Sequence, residues 1–425
     1  MTMNPRAYQT EISDSAAEIL KAKRIVYLAM EVRTGKTLTA FWTLKKAGAH
    51  QCLFVTKKKA IASIQADAIS VGFNAVVVNY ESLHKVTDKY KYVVIDEAHC
   101  IGSFPKPSGR WKELKRLIDQ NTYVILLSGT PSPESYSQLY HQFAIHPCGP
   151  FAEWRNFYAW AKRFVTVKPK YVGQGLPIND YSNARYNEFS MLVKPLMLTY
   201  TQKQAGFTQE IVEYVHEIDM RRSTYTIASA ILKDGVYRGV SDMVLADSGA
   251  KIQSKLHQVY SGTVIGESET HTFDTSKAEY IRETFKGRKI AIFTKFQAEL
   301  EMVSDMFPVV TSSPESFNAD PEAVFVGQIQ SSREGVNLSS AECLIYLTPD
   351  FSALSYLQGR DRASHMGRTT PPEVHWIFAK GGIEAEIYER VRNKEDYTLQ
   401  HFKHDRGKLS SQAEKATERE RVARH

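Results

Sequence analysis

The sequence predicts an α/β fold in which two parallel-sheet lobes follow one another along the chain, with helical insertions between them. Short apolar runs rich in β-branched and aromatic residues recur along the chain, and helical stretches separate them. This pattern occurs twice, between residues 24 and 140 and again after residue 274. The 425 residues also suffice for two or three domains, at roughly 150 residues per domain.

The first series of apolar runs predicts strands that are buried on both faces, because each run is short and continuous. These runs are 24–30, 51–56, 75–80, 92–97 and 123–130. Amphipathic stretches such as TLTAFWTLKKAGA lie between them. Alternating strands and helices imply a parallel sheet with right-handed crossovers.

The segment from Phe151 to Asp274 has a different character and predicts helices and loops with little sheet, since aromatic and charged residues mix there at helical spacing. A second strand series then follows at 289–294, 307–312, 323–329, 342–348 and 374–379. We therefore predict a first lobe over 1–210, a second over 211–395, and a charged tail over 396–425.

Composition and charge limit the classes of protein to consider. Apolar residues make up 43% and charged residues 24%, as in ordinary globular proteins. The net charge of +7 permits a polyanionic partner. The four cysteines form no CxxC pair, which argues against a structural zinc site and a disulfide framework. Since the N-terminus has no signal-peptide core and no run is long enough to span a membrane, we expect a cytoplasmic protein.

The first segment that carries chemistry is RTGKT (33–37), between a strand and an amphipathic stretch. A strand, a tight turn and a helix in this order form a phosphate-binding loop, whose backbone N–H groups face the anion. Lys36 would reach the β- and γ-phosphates and Thr37 would hold Mg²⁺. The first glycine of the strict pattern is absent, because Glu31 stands at its position.

Two further segments follow apolar strands. The sequence DEAH (96–99) places two carboxylates at a strand end, where Asp96 could hold Mg²⁺ and Glu97 could polarise the attacking water. The sequence SGTP (128–131) offers small hydroxyl groups that could sense the γ-phosphate or the histidine of DEAH. A single carboxylate at a strand end is usually part of a charged turn. That explanation does not account for the sequence DEAH, which begins 60 residues after Lys36.

In this order GKT, DEAH and SGTP resemble motifs I, II and III of superfamily 2 helicases and translocases. RAYQ (6–9) resembles the adenine-side motif, SSREGVNL (331–338) resembles motif V, and QGRDRASHMG (358–367) resembles motif VI. The segments GVNL, DRA, SKLHQVYSG (254–262) and Ser276-Lys277 are similar to the Swi/Snf branch. The short chain is more similar to a compact viral or bacterial member of that branch than to a eukaryotic remodeller. The resemblance therefore implies the cytoplasm of a bacterium or of a virus-infected host cell.

The resemblance implies two RecA-like lobes that bind and hydrolyse ATP, with Mg²⁺, in the cleft between them. The implied catalytic residues are Lys36, Asp96, Glu97 and Arg362, of which Asp96, together with Thr37, would hold the metal. The implied nucleotide contacts are Gln9, Thr34, Gly35, Lys36, Thr37, Gly335 and Asn337. The implied coupling residues are His99, Ser128, Thr130 and Gln358.

Motif VI departs from the family pattern in one position. It normally carries two arginines three residues apart, and after Arg362 the second position is His365. A histidine can replace an arginine only when it is protonated, and an unperturbed histidine is mostly neutral at pH 7. Arg360, Arg362 or Arg368 would then supply the cation, or hydrolysis would be weak.

Nucleic-acid contacts are predicted at the strand ends that correspond to motifs Ia and Ib, namely at Lys57, Lys58, Lys59 and Tyr80. A run of lysines is often a solvated surface, but its position after a strand favours binding. The aromatic residues between Trp154 and Phe164 fall at helical spacing and are predicted to form core rather than a base-stacking platform.

Three functions fit these observations. The leading one is a motor that moves along double-stranded DNA without sequence preference. Replication or recombination proteins are further candidate partners of such a motor. The second is a helicase that separates strands or remodels branched DNA, although no wedge element can be identified. The third is a degenerate ATP switch or scaffold that binds nucleic acid without moving.

Overall fold

The fold is described from a computed structural model of the chain. The described residues are 4–170, 177–206, 211–239, 242–329, 338, 340–360 and 370–393. The chain divides into two compact units, Met1–Phe207 and Thr208–His425. The predicted tail, 396–425, lies outside the described residues. The predicted lobe bounds, 1–210 and 211–395, stay predictions.

The first unit contains strands and helices in alternation. Its described strands are β1 (Ile25–Met30), β2 (Gln51–Thr56), β3 (Asn74–Asn79), β4 (Tyr92–Ile95), β5 (Tyr123–Leu127), β6 (Lys168–Lys170), β7 (Ile178–Asp180) and β8 (Met197–Tyr200). Its described helices are α1 (Ala7–Lys23), α2 (Lys36–Lys46), α3 (Ile61–Ser70), α4 (Gly109–Leu117), α5 (Leu139–Ala144), α6 (Phe157–Phe164) and α7 (Tyr186–Val193).

The main sheet of this unit is parallel throughout its described strands, in the order β3-β2-β4-β5-β1-β8. The inner strands β1, β2, β4 and β5 are almost entirely buried, whereas β3 is only half-buried because it lies at an edge. The order places the carboxyl ends of β1, β4 and β5 close together. In open parallel sheets, that edge is where ligands bind.

Side chains alternate between two apolar cores, one on each face of the sheet, as strand geometry requires. Ile25 and Tyr27 belong to one core, and Val26 and Leu28 to the other. Helices α1, α2 and α3 cover the second core, and helices α4 to α7 cover the first. The predicted aromatic core of α6 is confirmed for Phe157, Trp160 and Phe164, which are buried, but it is wrong for Tyr158, which is 43% exposed.

The second unit repeats this plan. Its described strands are β9 (Val212–Ile218), β10 (Val236–Arg238), β11 (Met243–Leu245), β12 (Thr263–Ile265), β13 (Thr270–Thr272), β14 (Ile290–Thr294), β15 (Val310–Thr311), β16 (Val324–Gln328), β17 (Cys343–Tyr346) and β18 (Glu373–Ala379). Its described helices are α8 (Arg222–Asp234), α9 (Gly249–Val259), α10 (Ser276–Thr284), α11 (Gln297–Ser304), α12 (Pro314–Ala319), α13 (Ala353–Arg360) and α14 (Glu384–Arg392).

The main sheet of the second unit is also parallel throughout its described strands, in the order β15-β16-β14-β17-β18-β9. Apolar cores lie on both of its faces. The predicted fold class, α/β with two RecA-like parallel-sheet lobes in tandem and helical insertions, is therefore confirmed.

The prediction of little sheet between Phe151 and Asp274 is wrong. This segment supplies β8 and β9, which extend the two main sheets beside β1 and β18, and three small antiparallel hairpins. The sequence pattern missed β9 because its residues, VEYVHEI, mix apolar with charged side chains and only Ile218 is buried. A strand at a sheet edge needs no continuous apolar run, since one side of it faces solvent.

An ion pair lies in the interior of the second unit. The Nζ atom of Lys277, on α10, is 2.6 Å from Oε1 of Glu384, on α14, and both side chains are fully buried. Lys277 also donates to the main-chain oxygen of Leu347 at 3.2 Å. This pair joins two helices and the end of β17 without access to water.

Candidate functional site

The loop between β1 and α2 adopts the geometry of a phosphate-binding turn. Gly35 caps α2 with a φ of 79°, in the left-handed region that favours glycine. A Cβ atom at this position would lie 2.5 Å from Nε2 of Gln9, so a larger residue would collide with that side chain. The main-chain N–H groups that begin α2 are thus presented at the end of β1, where an anion can be held.

Glu31, which replaces the first glycine of the strict pattern, is bonded into the loop. Its carboxylate accepts a hydrogen bond of 2.7 Å from the main-chain N–H of Gln202, which lies just after β8. Its main-chain oxygen accepts from the hydroxyl of Thr34 at 2.7 Å and lies 3.5 Å from Nζ of Lys36. The missing glycine therefore leaves a formed loop, tied to the edge strand of the sheet.

Helix α1 supports the loop from the other side. The hydroxyl of Tyr8 donates to the main-chain oxygen of Thr34 at 2.9 Å, and the ring of Tyr8 stacks on Tyr200 at 4.6 Å. Nε2 of the buried Gln9 lies 3.4 Å from the main-chain oxygen of Gly35. Gln9 thus contacts the phosphate loop, and its role at an adenine edge stays a prediction.

The two carboxylates follow β4 directly. Asp96 accepts a hydrogen bond of 2.8 Å from the hydroxyl of Thr56, at the end of the neighbouring strand β2. The hydroxyl of Tyr80 donates to the main-chain oxygen of Asp96. Glu97 has a φ of 49°, unusual for a residue with a side chain, and turns the chain sharply after Asp96. Non-glycine residues in this conformation cluster at functional sites.

Burial and the neighbouring charge of Glu97 raise the pKa of Asp96 to about 6, while Thr56 and Lys36 act in the opposite direction. The carboxyl group of Asp96 is therefore mainly charged above about pH 6 and mainly neutral below it. Because the folded state holds this proton more tightly than the unfolded state, the shift favours folding as the pH falls through that value.

We expect the affinity for Mg²⁺ with ADP to fall as the pH drops through about 6, since a protonated Asp96 is a poor metal ligand. Calorimetric titrations at acidic and mildly alkaline pH measure this affinity. Asp96→Asn is the control, because the titration of the nucleotide itself is common to both proteins. An equal pH dependence in Asp96→Asn would contradict the assignment.

The DEAH and SGTP segments are joined through a histidine. Nδ1 of the buried His99 lies 3.0 Å from Oγ of Ser128 and 3.3 Å from Oε2 of Glu97. Oγ of Ser128 also accepts the main-chain N–H of Thr130 at 3.1 Å. These contacts connect the acidic pair, Asp96 and Glu97, to the end of β5. A displacement of the DEAH segment would therefore displace the SGTP segment, and the reverse.

The SGTP segment also lies against the phosphate loop. A Cβ atom on Gly129 would lie 3.4 Å from Nζ of Lys36 and 3.3 Å from the main-chain nitrogen of Val32. The structure therefore brings together one ammonium group, two carboxylates and the start of a helix at one sheet edge. This set of groups can bind a phosphate chain with a divalent cation and activate a water molecule.

The predicted nucleic-acid contacts divide into two groups. Lys58 and Lys59 are exposed after β2 and Lys57 is half-buried, so these side chains are placed where a polyanion can reach them. Tyr80 is only 3% exposed, and its hydroxyl is bonded to the main chain of Asp96. The proposal of Tyr80 as a surface contact is therefore corrected: its position supports the acidic pair.

Several predicted residues cannot be placed in the site. Gly335, Asn337, Arg362 and His365 lie outside the described residues. The backbone of Gln358 belongs to α13, and Thr37 is half-buried in the first turn of α2.

Sequence reasoning missed three supporting residues: Thr56, Gln202 and Glu31. Thr56 contacts Asp96 only because β2 and β4 are paired in register, and Gln202 is distant from the loop in sequence. For Glu31 the pattern showed only the loss of a glycine. No motif marks these three residues, so their roles depend on the fold.

One group of metal-ligating side chains lies elsewhere, in the second unit. Cys343, Glu373 and His375 have ligand atoms within 4.8 Å of one another. Nη2 of Arg288 lies 2.7 Å from Oε2 of Glu373, and His375 is 3.2 Å from the same oxygen. The guanidinium already balances this carboxylate, which makes the group a poor cation site.

In the described part of the chain no helix is long and apolar enough to cross a membrane.

Comparison with known proteins gives a consistent result. More than half of the chain, residues 32–264, matches the SNF2-related domain family. The chain is 21% identical over 376 residues to the DNA annealing helicase and endonuclease ZRANB3 of Bos taurus, covering 81% of this chain and 33% of that protein. It is 21% identical over 343 residues to the SWI/SNF-related matrix-associated actin-dependent regulator of chromatin subfamily A-like protein 1 of Xenopus laevis, covering 75% and 34%. The chain thus spans about a third of the length of these relatives.

Proposed function

The chain belongs to the SNF2-related domain family, and from that premise we propose that it is an ATP-dependent motor that moves along DNA. The observation that supports this most is the convergence of Lys36, Asp96 and Glu97 at one edge of the first sheet. Family membership confirms the resemblance to the Swi/Snf branch. A viral or bacterial origin stays a prediction.

The residues at the sheet edge fit ATP and Mg²⁺. Lys36 and the first N–H groups of α2 would bind the phosphates, and Thr37 and Asp96 would hold Mg²⁺. When bound, Mg²⁺ neutralises charge on the phosphate oxygens. Glu97 would orient the attacking water and accept its proton. We propose Arg362, in the second unit, as the cation that stabilises charge in the transition state, where such a group is worth most.

Coupling of hydrolysis to movement would begin at His99. Its contact with Ser128 links Glu97 to the end of β5, so loss of the γ-phosphate can change the position of the SGTP segment. We propose that Thr130 and Gln358 take part in the same coupling. A motor needs this kind of connection, because hydrolysis alone moves nothing.

The proposed track is double-stranded DNA, bound without sequence preference. The names of both relatives support DNA as the partner, since one is called an annealing helicase and the other a regulator of chromatin. Contacts with phosphates suit a motor because they carry no sequence information. Lys57, Lys58 and Lys59 are the proposed contacts in the first unit.

We expect the combined replacement of Lys57, Lys58 and Lys59 by alanine to weaken DNA binding equally for all sequences. The slope of log K against log salt should become shallower by about 0.9 for each lysine that binds a phosphate. Fluorescence anisotropy at several salt concentrations measures the slope. The control replaces Lys89 and Lys91, which are exposed. They lie just before β4, at the amino ends of the strands, whereas the three lysines follow the carboxyl end of β2. Equal slopes in wild type and the triple variant would exclude these lysines.

A second function has a specific observation in its favour. The ZRANB3 of Bos taurus is named a DNA annealing helicase, which supports a motor that re-pairs or remodels branched DNA. The scaffold alternative is less well supported, because Glu31 is bonded into a formed phosphate loop.

One experiment tests the proposal. ATP hydrolysis is measured without nucleic acid and with single-stranded DNA, duplex DNA and RNA. Stimulation by duplex DNA is expected, and no hydrolysis under any condition would reject the motor in favour of the scaffold. Displacement of a third strand from a triplex, compared with displacement of one strand from a duplex, then separates translocation from unwinding, and a strand-annealing assay tests the second function.

A further inference from the structure

Three polar hydrogens converge on one carboxylate in the second unit. Oε1 of Glu213 accepts from the hydroxyl of Tyr356 at 2.8 Å. Oε2 accepts from Nε1 of Trp376 at 2.9 Å and from the hydroxyl of Tyr388 at 3.0 Å. The donors come from α13, β18 and α14, so Glu213, on the edge strand β9, connects three separate elements.

The aromatic residues that surround this carboxylate are buried and packed against one another. Tyr356, Trp376 and Tyr388 are each at most 4% exposed, and the ring of Trp376 lies 5.6 Å from that of Tyr356 and 5.3 Å from that of Tyr388. A carboxylate against such a core is costly unless hydrogen bonds satisfy it. The three donors satisfy Glu213 and tie β9 to α13, β18 and α14.

The hydroxyls act as donors throughout the working pH range. Burial and the charge of Glu213 raise the pKa of Tyr356 to about 12, and the pKa of Tyr388 is raised by the same causes. Neither group loses its proton near neutral pH. Both hydroxyls can therefore donate to Glu213 at neutral pH.

Tyr356 lies on the helix that begins motif VI. The guanidinium of Arg360, one turn later on α13, lies 5.8 Å from the centre of the Tyr356 ring. A Cβ atom on Gly359 would be 2.8 Å from the hydroxyl of Tyr346, and Tyr346 stacks on Trp376 at 4.6 Å. Helix α13 is therefore fitted closely to the aromatic residues that Glu213 organises, and Arg362 follows it two residues later in the sequence.

We propose that Glu213 is a positioning residue for ATP hydrolysis, which acts through Tyr356 on Arg360, at the start of motif VI. This inference rests on the proposed function. The carboxylate fixes the hydroxyl of Tyr356, the hydroxyl fixes α13, and α13 sets where Arg360 is presented.

The chain offers a matched pair of variants for the test. Tyr356→Phe and Tyr388→Phe each remove one hydroxyl that donates to the same carboxylate, but only Tyr356 is on the motif VI helix. We expect both to lower the unfolding midpoint similarly. We expect Tyr356→Phe alone to lower kcat by about tenfold or more with KM for ATP unchanged, since misplacement by about 1 Å can cost up to about 10²-fold.

A coupling measurement completes the test. Glu213→Ala should lower kcat like Tyr356→Phe, and the double variant should show little further loss, because both changes remove one interaction. Glu213→Gln, which keeps one acceptor, should recover part of the rate. Should Glu213→Ala fail to fold, the tyrosine pair still decides.

The outcomes are distinguishable. Equal kcat effects in the two tyrosine variants, or no effect in either, overturn the positioning role while the proposed function stands. A wild-type chain that does not hydrolyse ATP with any nucleic acid overturns both.

Discussion

Replacing Glu97 by glutamine is expected to lower the rate of ATP hydrolysis by about 10²- to 10⁴-fold, the range that a positioned general base contributes. The amide cannot accept the proton of the attacking water. Nucleotide binding should persist, because Lys36, Thr37 and Asp96 are unchanged and Asp96 keeps its hydrogen bond from Thr56. Phosphate release with duplex DNA measures the first quantity, and calorimetric titration with ADP measures the second.

The control for this variant is Glu113→Gln. Glu113 is exposed on α4 and faces Arg116 at 3.5 Å, so its loss removes the same charge from the same unit away from the sheet edge. Hydrolysis by Glu97→Gln at the rate of Glu113→Gln would show that Glu97 is not the base. Loss of ADP binding in Glu97→Gln would instead show that the variant disturbs the turn at φ 49°.

The sequence predicts the inner strands of each sheet better than the edge strands β8 and β9. The inner strands β1, β2, β4 and β5 are continuous apolar runs because both faces are covered, and their bounds differ from the predicted runs by only a few residues. In the edge strand β9, Glu213 and Glu217 interrupt the apolar residues, and Tyr214 and Val215 are 43% and 46% exposed. An edge strand is fixed by its partner, here β18, and no local pattern reveals the partner.

The same distinction applies to the site. Motif order alone indicated Lys36, Asp96, Glu97, His99 and Ser128, and the fold places them at one sheet edge because β1, β4 and β5 are neighbours. The contacts that support them depend on register. The bond from Thr56 to Asp96 exists because Val55 pairs with Ile95. The prediction of Tyr80 as a nucleic-acid contact fails because the position of its side chain also depends on the fold. Nothing in its neighbouring sequence shows that its hydroxyl reaches Asp96.

Replacing Lys277 by methionine is expected to destabilise the second unit by about 3–5 kcal/mol, because it leaves the carboxylate of Glu384 buried without a cation. The two charged groups are 2.6 Å apart and both are fully buried, so water cannot replace the missing partner. Urea unfolding measures the loss, and hydrogen exchange assigns it to the second unit. Lys251→Met is the control, since Lys251 and Asp247 are 2.8 Å apart but more than half exposed. Such an exposed pair contributes about 0–1 kcal/mol.

The loss of stability in Lys277→Met should depend on pH in a defined direction. Burial raises the pKa of Glu384, and Lys277 opposes that shift. Without the ammonium the pKa rises further, so Lys277→Met should recover stability as the pH falls and the carboxyl takes up a proton. Lys277→Met combined with Glu384→Leu should be more stable than Lys277→Met alone at neutral pH, because an apolar pair leaves no buried charge. A double variant as unstable as the single one would show that Lys277 contributes through packing, with its four-carbon chain filling the space between α10 and α14, rather than through its charge.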